Sequence, residues 1–297
     1  MRNVAVLVLA LVASAACYGL DSSSLGKAIG QSALLTAIAL AAVALIRPAS
    51  LRARGETSRN AAPARAVHPD DPDGSTTVGS AAAAPAACAP AATLTSRQLP
   101  TRRTPAGLRV PVALVCVAGL LGGAISWAAA GFPYPLASPQ TAILAAQILA
   151  LCALTGIAEE ALYRAAMIEA FLPALGDDGR ATLKAALASA LIFAALHLSA
   201  PADGSVIALA QSLLKPVQAA LFGFTLALLY CRTRSVWPCA ALHAAFNALY
   251  LAPGLLAAGS LATTYATGQL PDLVMLASTT AILAIAAVLA LRASRVA

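Results

Sequence analysis

The sequence predicts an all-α fold, a polytopic transmembrane helical bundle of about eight spans, and three observations carry that prediction. Of 297 residues 60% are hydrophobic and 10% charged, where an average soluble domain carries about 25% charged residues. Apolar runs recur at 4–20, 28–46, 110–130, 141–171, 185–200, 205–231, 236–256 and 270–291, most of them near the roughly 20 residues that a spanning helix needs. Basic residues are also one-sided. Sixteen of the nineteen Lys and Arg fall in segments that share a side if the spans alternate: Arg2, the nine arginines from 47 to 109, Arg180, Lys184, Arg232, Arg234, Arg292 and Arg295. The other side keeps Lys27, while Arg164 and Lys215 lie inside apolar runs. This positive-inside pattern puts both termini in the cytoplasm. The net charge of +7 therefore reads as topology. Nucleic-acid binding would need a clustered basic face with aromatic partners, and that is absent.

Taken in order, the first run follows Arg2 and contains Ala13-Ser14-Ala15, a small-residue pattern like a signal-peptide cleavage site. Its continuation to Leu20 favours a retained helix. The second run completes an N-terminal two-helix membrane unit, residues 1–46. From 47 to 109 the apolar period disappears into Pro, Ala, Ser, Thr and Arg with an acidic patch at Asp70, Asp71 and Asp73. Such a segment lacks the apolar content to offset ordering entropy, and a disordered basic cytoplasmic linker is expected, with His68 solvated inside it. Residues 110–297 form a six-helix unit. Its 141–171 run is too long for one perpendicular crossing and predicts a tilted helix projecting past the bilayer. Six cysteines, at 17, 88, 116, 152, 231 and 239, show no metal-type spacing and read as small packing residues.

All the intramembrane candidates for chemistry belong to the six-helix unit. A charge near the bilayer centre costs roughly 3 kcal/mol on insertion scales, so such residues usually face a protein interior where they have work to do. Glu160 and Arg164, four apart, share a helical stripe, while Glu159 points about 100° away. One carboxylate is matched and the other is expected to be free, in a low-dielectric pocket that suits a proton acceptor. Tyr163 and Glu169 read as interfacial anchors. Phe193 with His197, and His243 with Asn247, repeat the four-residue spacing on later helices. At about 1.5 Å per residue, Glu159 and His197 each lie about 18 Å from the cytoplasmic helix ends, Asn247 about 16 Å and His243 about 10 Å. One shared polar cavity is geometrically reasonable, with His243 the shallow member.

These three stretches, Glu159-Glu160-x-x-x-Arg164, Phe193-x-x-x-His197 and His243-x-x-x-Asn247, in that order on successive hydrophobic helices, resemble the CPBP family of intramembrane proteases. That family includes CAAX proteases and bacterial members linked to bacteriocin processing and immunity. The resemblance covers roughly residues 110–260. It implies that Glu159 and His197 activate a water, that His243 and Asn247 form an oxyanion hole, and that Glu160 and Arg164 orient the helix and bind a substrate carboxylate. It implies no cofactor and no metal. The partners expected are a membrane-associated peptide or protein substrate and the lipid bilayer, with no nucleic acid. Sixteen Arg to three Lys with abundant Ala suggests a GC-rich bacterial genome, hence a bacterial inner-membrane location in which prenylated substrates are improbable. Two other readings use the same residues: a zinc protease with two His and a Glu as ligands, although H-E-x-x-H spacing is absent, and a non-catalytic membrane protein that binds or protects a partner.

Overall fold

The computed structural model describes residues 2–18, 25–46, 106–131, 139–176, 179–258 and 266–295. All regular structure among them is helical: α1 Arg2–Tyr18, α2 Leu25–Ile46, a 3-10 turn Ala106–Leu108 leading into α3 Arg109–Ala129, α4 Pro139–Glu159, a π-helical segment Glu160–Ala166, α5 Met167–Leu175, α6 Gly179–Ala195, α7 Val206–Thr233, α8 Val236–Ala258 and α9 Leu270–Arg295. The expected linker 47–109 lies almost wholly outside the described residues.

Among the described residues, six stretches are long and apolar enough to cross a membrane, fewer than the eight expected. Helix α1 offers only the apolar segment Asn3–Ser14. Helix α6 has 17 residues, about 26 Å at the α-helical rise, against a hydrocarbon core of about 30 Å. It stops at Ala195 rather than at 200. The long 141–171 run is confirmed and extended, because Pro139–Leu175 forms one 37-residue stretch. At the α-helical rise that is about 55 Å, well beyond one perpendicular crossing.

Large apolar side chains such as Val117, Leu120, Ile143, Leu191, Leu213 and Ile285 face outward, whereas the core is rich in alanine together with Leu226, Phe222, Phe246, Tyr250 and Leu283. This arrangement is expected when lipid is as apolar as leucine: helices then associate through close backbone approach at small residues. Gly156 of α4 is such a contact. A Cβ there would stand 2.9 Å from the Ala244 backbone nitrogen and 3.0 Å from the Ala240 carbonyl oxygen of α8. Gly123 of α3 faces the Leu249 carbonyl in the same way. Helix α8 is thus drawn against α4 one turn before the paired glutamates.

Polar ties finish the frame. Ser32 and Thr155 hydroxyls lie 3.2 Å apart and Thr36 donates to the Leu154 carbonyl at 3.0 Å, fastening α2 to α4. Helix α7 begins at Ser205, whose hydroxyl accepts from the Ala208 N–H, an N-cap of the usual kind. It ends at Arg234, which has a left-handed φ of 50° and is held by a 2.6 Å ion pair to Glu169 of α5. Tyr230 donates to that carboxylate at 2.9 Å. Glu169 is therefore a structural lock. Tyr163 also departs from the expected interfacial position: it is 2% exposed and meets Phe193 edge-on at 5.3 Å.

Candidate active site

The site forms where α4 changes its winding. Met167 N–H donates to Leu162 five residues back, the π pattern, which appears mostly as single-turn insertions at functional sites. Nothing in Glu-Ala-Leu-Tyr-Arg-Ala-Ala distinguishes it from ordinary helix. Ser189 of α6 donates to the Tyr163 carbonyl within this turn at 2.6 Å.

Glu160 and Arg164 are both fully buried, with Arg164 Nε 3.1 Å from Glu160 Oε2. Arg164 also lies over the Phe193 ring, 4.7 Å from its centroid. The other Glu160 oxygen, Oε1, lies 2.8 Å from His243 Nδ1. In a carboxylate paired with a guanidinium the oxygens accept, so in this arrangement Nδ1 of His243 is the donor. The far nitrogen, Nε2, faces Glu159 Oε2 at 3.4 Å. The expectation of a free Glu159 is therefore corrected: His243 stands between the two carboxylates, one nitrogen to each. Consecutive residues diverge by about 100° around a helix, and a flat ring with opposed nitrogens spans that divergence. With Nδ1–H committed to Glu160, Nε2 and Glu159 would meet lone pair to lone pair unless they share one further proton.

His197 lies outside its helix, in the turn after α6, where its N–H reaches the Ala194 carbonyl at 2.9 Å. Its Nδ1 is 2.9 Å from the Phe193 carbonyl. A carbonyl only accepts, so Nδ1 is the protonated nitrogen and Nε2 keeps the lone pair. Phe193 packs against both rings, 4.6 Å from His197 and 6.1 Å from His243, centroid to centroid. Phe222 closes on His243 from α7 at 4.9 Å.

A cavity of about 320 Å³ gathers Glu159, His197, His243 and Asn247 on its wall. The depth estimate for His243 was shallow, and the close α4–α8 approach at Gly156 brings it level with the glutamates. Glu160 and Arg164 sit behind this wall, fully buried. Lys215 and Gln218, on α7, also line the cavity and were not among the expected site residues. Lys215 was visible as an ionisable residue in an apolar run, but no spacing tied it to the other three stretches. Ala28, Gln31 and Ser32 of α2 also contribute, although 1–46 carried no motif. Among the described residues, no group of three or more His, Cys, Asp or Glu side chains is arranged to hold a metal ion.

An ionised carboxylate held by a guanidinium, an imidazole oriented by it, a second carboxylate opening into the cavity, a second imidazole with its lone pair available and a primary amide together can move a proton and stabilise a developing oxyanion. Comparison with known proteins agrees with the resemblance drawn from the three motifs. Residues 141–249, which contain all three, match the family described as type II CAAX prenyl endopeptidase Rce1-like. No curated protein and no solved structure matches the chain.

Proposed function

We propose, from the match of residues 141–249 to that endopeptidase family and from the setting of His243 between Glu159 and Glu160, that this chain is a multi-pass membrane endopeptidase using a glutamate-activated water. The observation that carries the reading is this bridged imidazole on the wall of a cavity shared with His197 and Asn247.

In this mechanism a water lies between Glu159 and the Nε2 lone pair of His197. Its proton passes to Glu159 while its oxygen bonds to the scissile carbonyl carbon. The carbonyl oxygen becomes an oxyanion that accepts from the Asn247 amide and, with the shared proton on the ring, from His243 Nε2–H. Collapse of that intermediate breaks the C–N bond, and the proton taken up by Glu159 goes to the departing amine. Glu160 and Arg164 act one step back: the ion pair fixes the His243 tautomer and the angle of its ring. The substrate in this reading is a membrane-associated peptide or protein, and the chain resides in a bacterial inner membrane.

Glu159→Gln keeps the shape and removes the base. A positioned general base contributes about 10²- to 10⁴-fold, so peptide cleavage by the purified variant should fall by that range while its folding, followed by gel filtration, is retained. Full activity in Glu159→Gln would discard the mechanism. Binding of a partner that survives Glu159→Gln, with no cleavage by either form, would select the non-catalytic reading. The zinc reading is tested by chelation: activity lost in EDTA and restored only by zinc would replace the glutamate mechanism.

A further inference from the structure

Helix α1 lies outside the matched segment 141–249, yet it reaches the residue proposed as the base. Among its described residues the buried positions are Leu7, Ala10, Ser14 and Cys17. Their spacing of three, four and three sets them on one face. Ser14, 2% exposed, puts a hydroxyl on that packing stripe. Buried hydroxyls of α7 and α9 donate to a carbonyl one turn back in their own helix: Thr225 to Leu221, Thr233 to Leu229 and Thr280 to Leu276. The buried Ser14 hydroxyl has no hydrogen-bond partner among the described residues. It borders a second, small cavity of about 10 Å³ lined by Ser14, Leu35, Ala158, Glu159, Leu162 and Tyr163.

The size and the chemistry of this cavity suit one water. A volume of about 10–15 Å³ holds a water molecule, which needs two or more polar partners. Ser14 and Glu159 offer complementary ones. The hydroxyl has a hydrogen to give, and a carboxylate accepts at about four lone-pair sites, enough for a water beside its other contacts. A water that accepts from Ser14 Oγ–H and donates to the Glu159 carboxylate satisfies both. Glu159 also lines the 320 Å³ cavity and is shared by the two. The small cavity is walled by α1, α2, α4 and the π-helical segment, with no residue from α6, α7 or α8. It is therefore separate from the space that Glu159 shares with His197, His243 and Asn247.

We propose that Ser14 and the small cavity beside Glu159 form a binding site for one water, through which Ser14 acts as a positioning residue for the Glu159 carboxylate. A hydrogen bond from behind limits the rotamers of the carboxylate and keeps it aimed at the attacking water, the support that a reacting group needs from the groups around it. Helix α1 then belongs to the active site. Ser14 stands inside Ala13-Ser14-Ala15, the pattern like a signal-peptide cleavage site, so this role requires a chain that keeps α1. The inference rests on the reading of Glu159 as the base and deepens it by naming what holds that base in place.

Two measurements on the full chain test it. A crystal structure of the wild-type protein that resolves ordered waters should show one within hydrogen-bond distance of both Ser14 Oγ and the Glu159 carboxylate, and the same position should lose it in Ser14→Ala. Cleavage of a library of quenched-fluorescent peptides, in lipid nanodiscs, supplies the second. Loss of one hydrogen bond to a charged group should lower kcat in Ser14→Ala by about tenfold with KM unchanged. Ser14→Thr, which keeps a hydroxyl, should recover most of that loss. No water between Ser14 and Glu159 in the wild type, a kcat in Ser14→Ala within about twofold of wild type, or equal losses in Ser14→Ala and Ser14→Thr each overturns the proposal. So does a chain isolated from its membrane without residues 1–15 that cleaves as fast as the full chain. The wild-type structure decides if the variants do not fold. An ordered water that disappears in Ser14→Ala, with no peptide cleaved by any form, would leave the water site standing and sink the endopeptidase reading alone.

Discussion

Glu160→Gln separates the architecture of the site from its chemistry. Glu160 and Arg164 have no solvent exposure and meet at 3.1 Å, while Glu160 also binds His243 at 2.8 Å. The glutamine oxygen can still accept from His243 Nδ1–H, so the ring is not set loose. The loss is the charge opposite Arg164. Removing one partner of a buried ion pair costs about 3–5 kcal/mol, because the guanidinium is left uncompensated in a medium that solvates it poorly. For a chain of this size that corresponds to a fall in melting temperature of about 6–20 °C. Replacing both partners should cost less than replacing one, since a buried pair exchanged for neutral groups of similar volume is often close to neutral. Thermal unfolding in detergent, followed by tryptophan fluorescence, compares wild type, Glu160→Gln and the double variant Glu160→Gln with Arg164→Met. The reasoning fails if Glu160→Gln melts within about 2 °C of wild type, or if the double variant melts below the single one.

Three further outcomes follow from the same geometry. Asn247→Ala should lower kcat by about 10²- to 10³-fold, the usual loss for one oxyanion donor, with KM little changed; a pure KM effect would remove Asn247 from that role. Gly156→Ala drives a Cβ against the Ala240 and Ala244 backbone, an overpacking cost of about 1–3 kcal/mol, and should lower both melting temperature and turnover. Gly30→Ala, with nothing within 4 Å of its Cβ, is the control that should change neither. Five of the described long apolar stretches follow Ala62, so the one-sided basic residues require the 17-residue α6 to cross as well. Reporter fusions at Ala62 and after Ala297 should then both read as cytoplasmic, and reporters on opposite sides would show that α6 does not cross.

Much of the fold follows from composition and periodicity along a single helix. Apolar runs of spanning length require helices in lipid, because a helix satisfies its backbone groups internally. Residues four apart share a face by helical geometry alone, so Glu160 with Arg164 and His243 with Asn247 were legible as pairs. The order of the three stretches carried the family resemblance, and the match at 141–249 agrees with it. The number of spans was read too high because an apolar run does not say where its helix stops. His197 sits past the end of α6 for the same reason.

Tertiary packing decided the rest. The contact of His243 with Glu160 joins residues 83 apart, and no spacing within one helix encodes it. It depends on α8 approaching α4 where Gly156 has no side chain, and on the π turn that carries Glu160, a winding that Glu-Ala-Leu-Tyr-Arg-Ala-Ala does not announce. Glu159 looked free because its own helix offers it no partner; the partner comes from α8. Lys215 looked like an isolated cation for the same reason. What holds it is Gln218 three residues on, tied to Thr279 sixty-one residues further along the chain. Sequence fixes which groups share one helix face, because that depends on local dihedral geometry. Which faces meet depends on where small residues let backbones close, a property of the packed helices together.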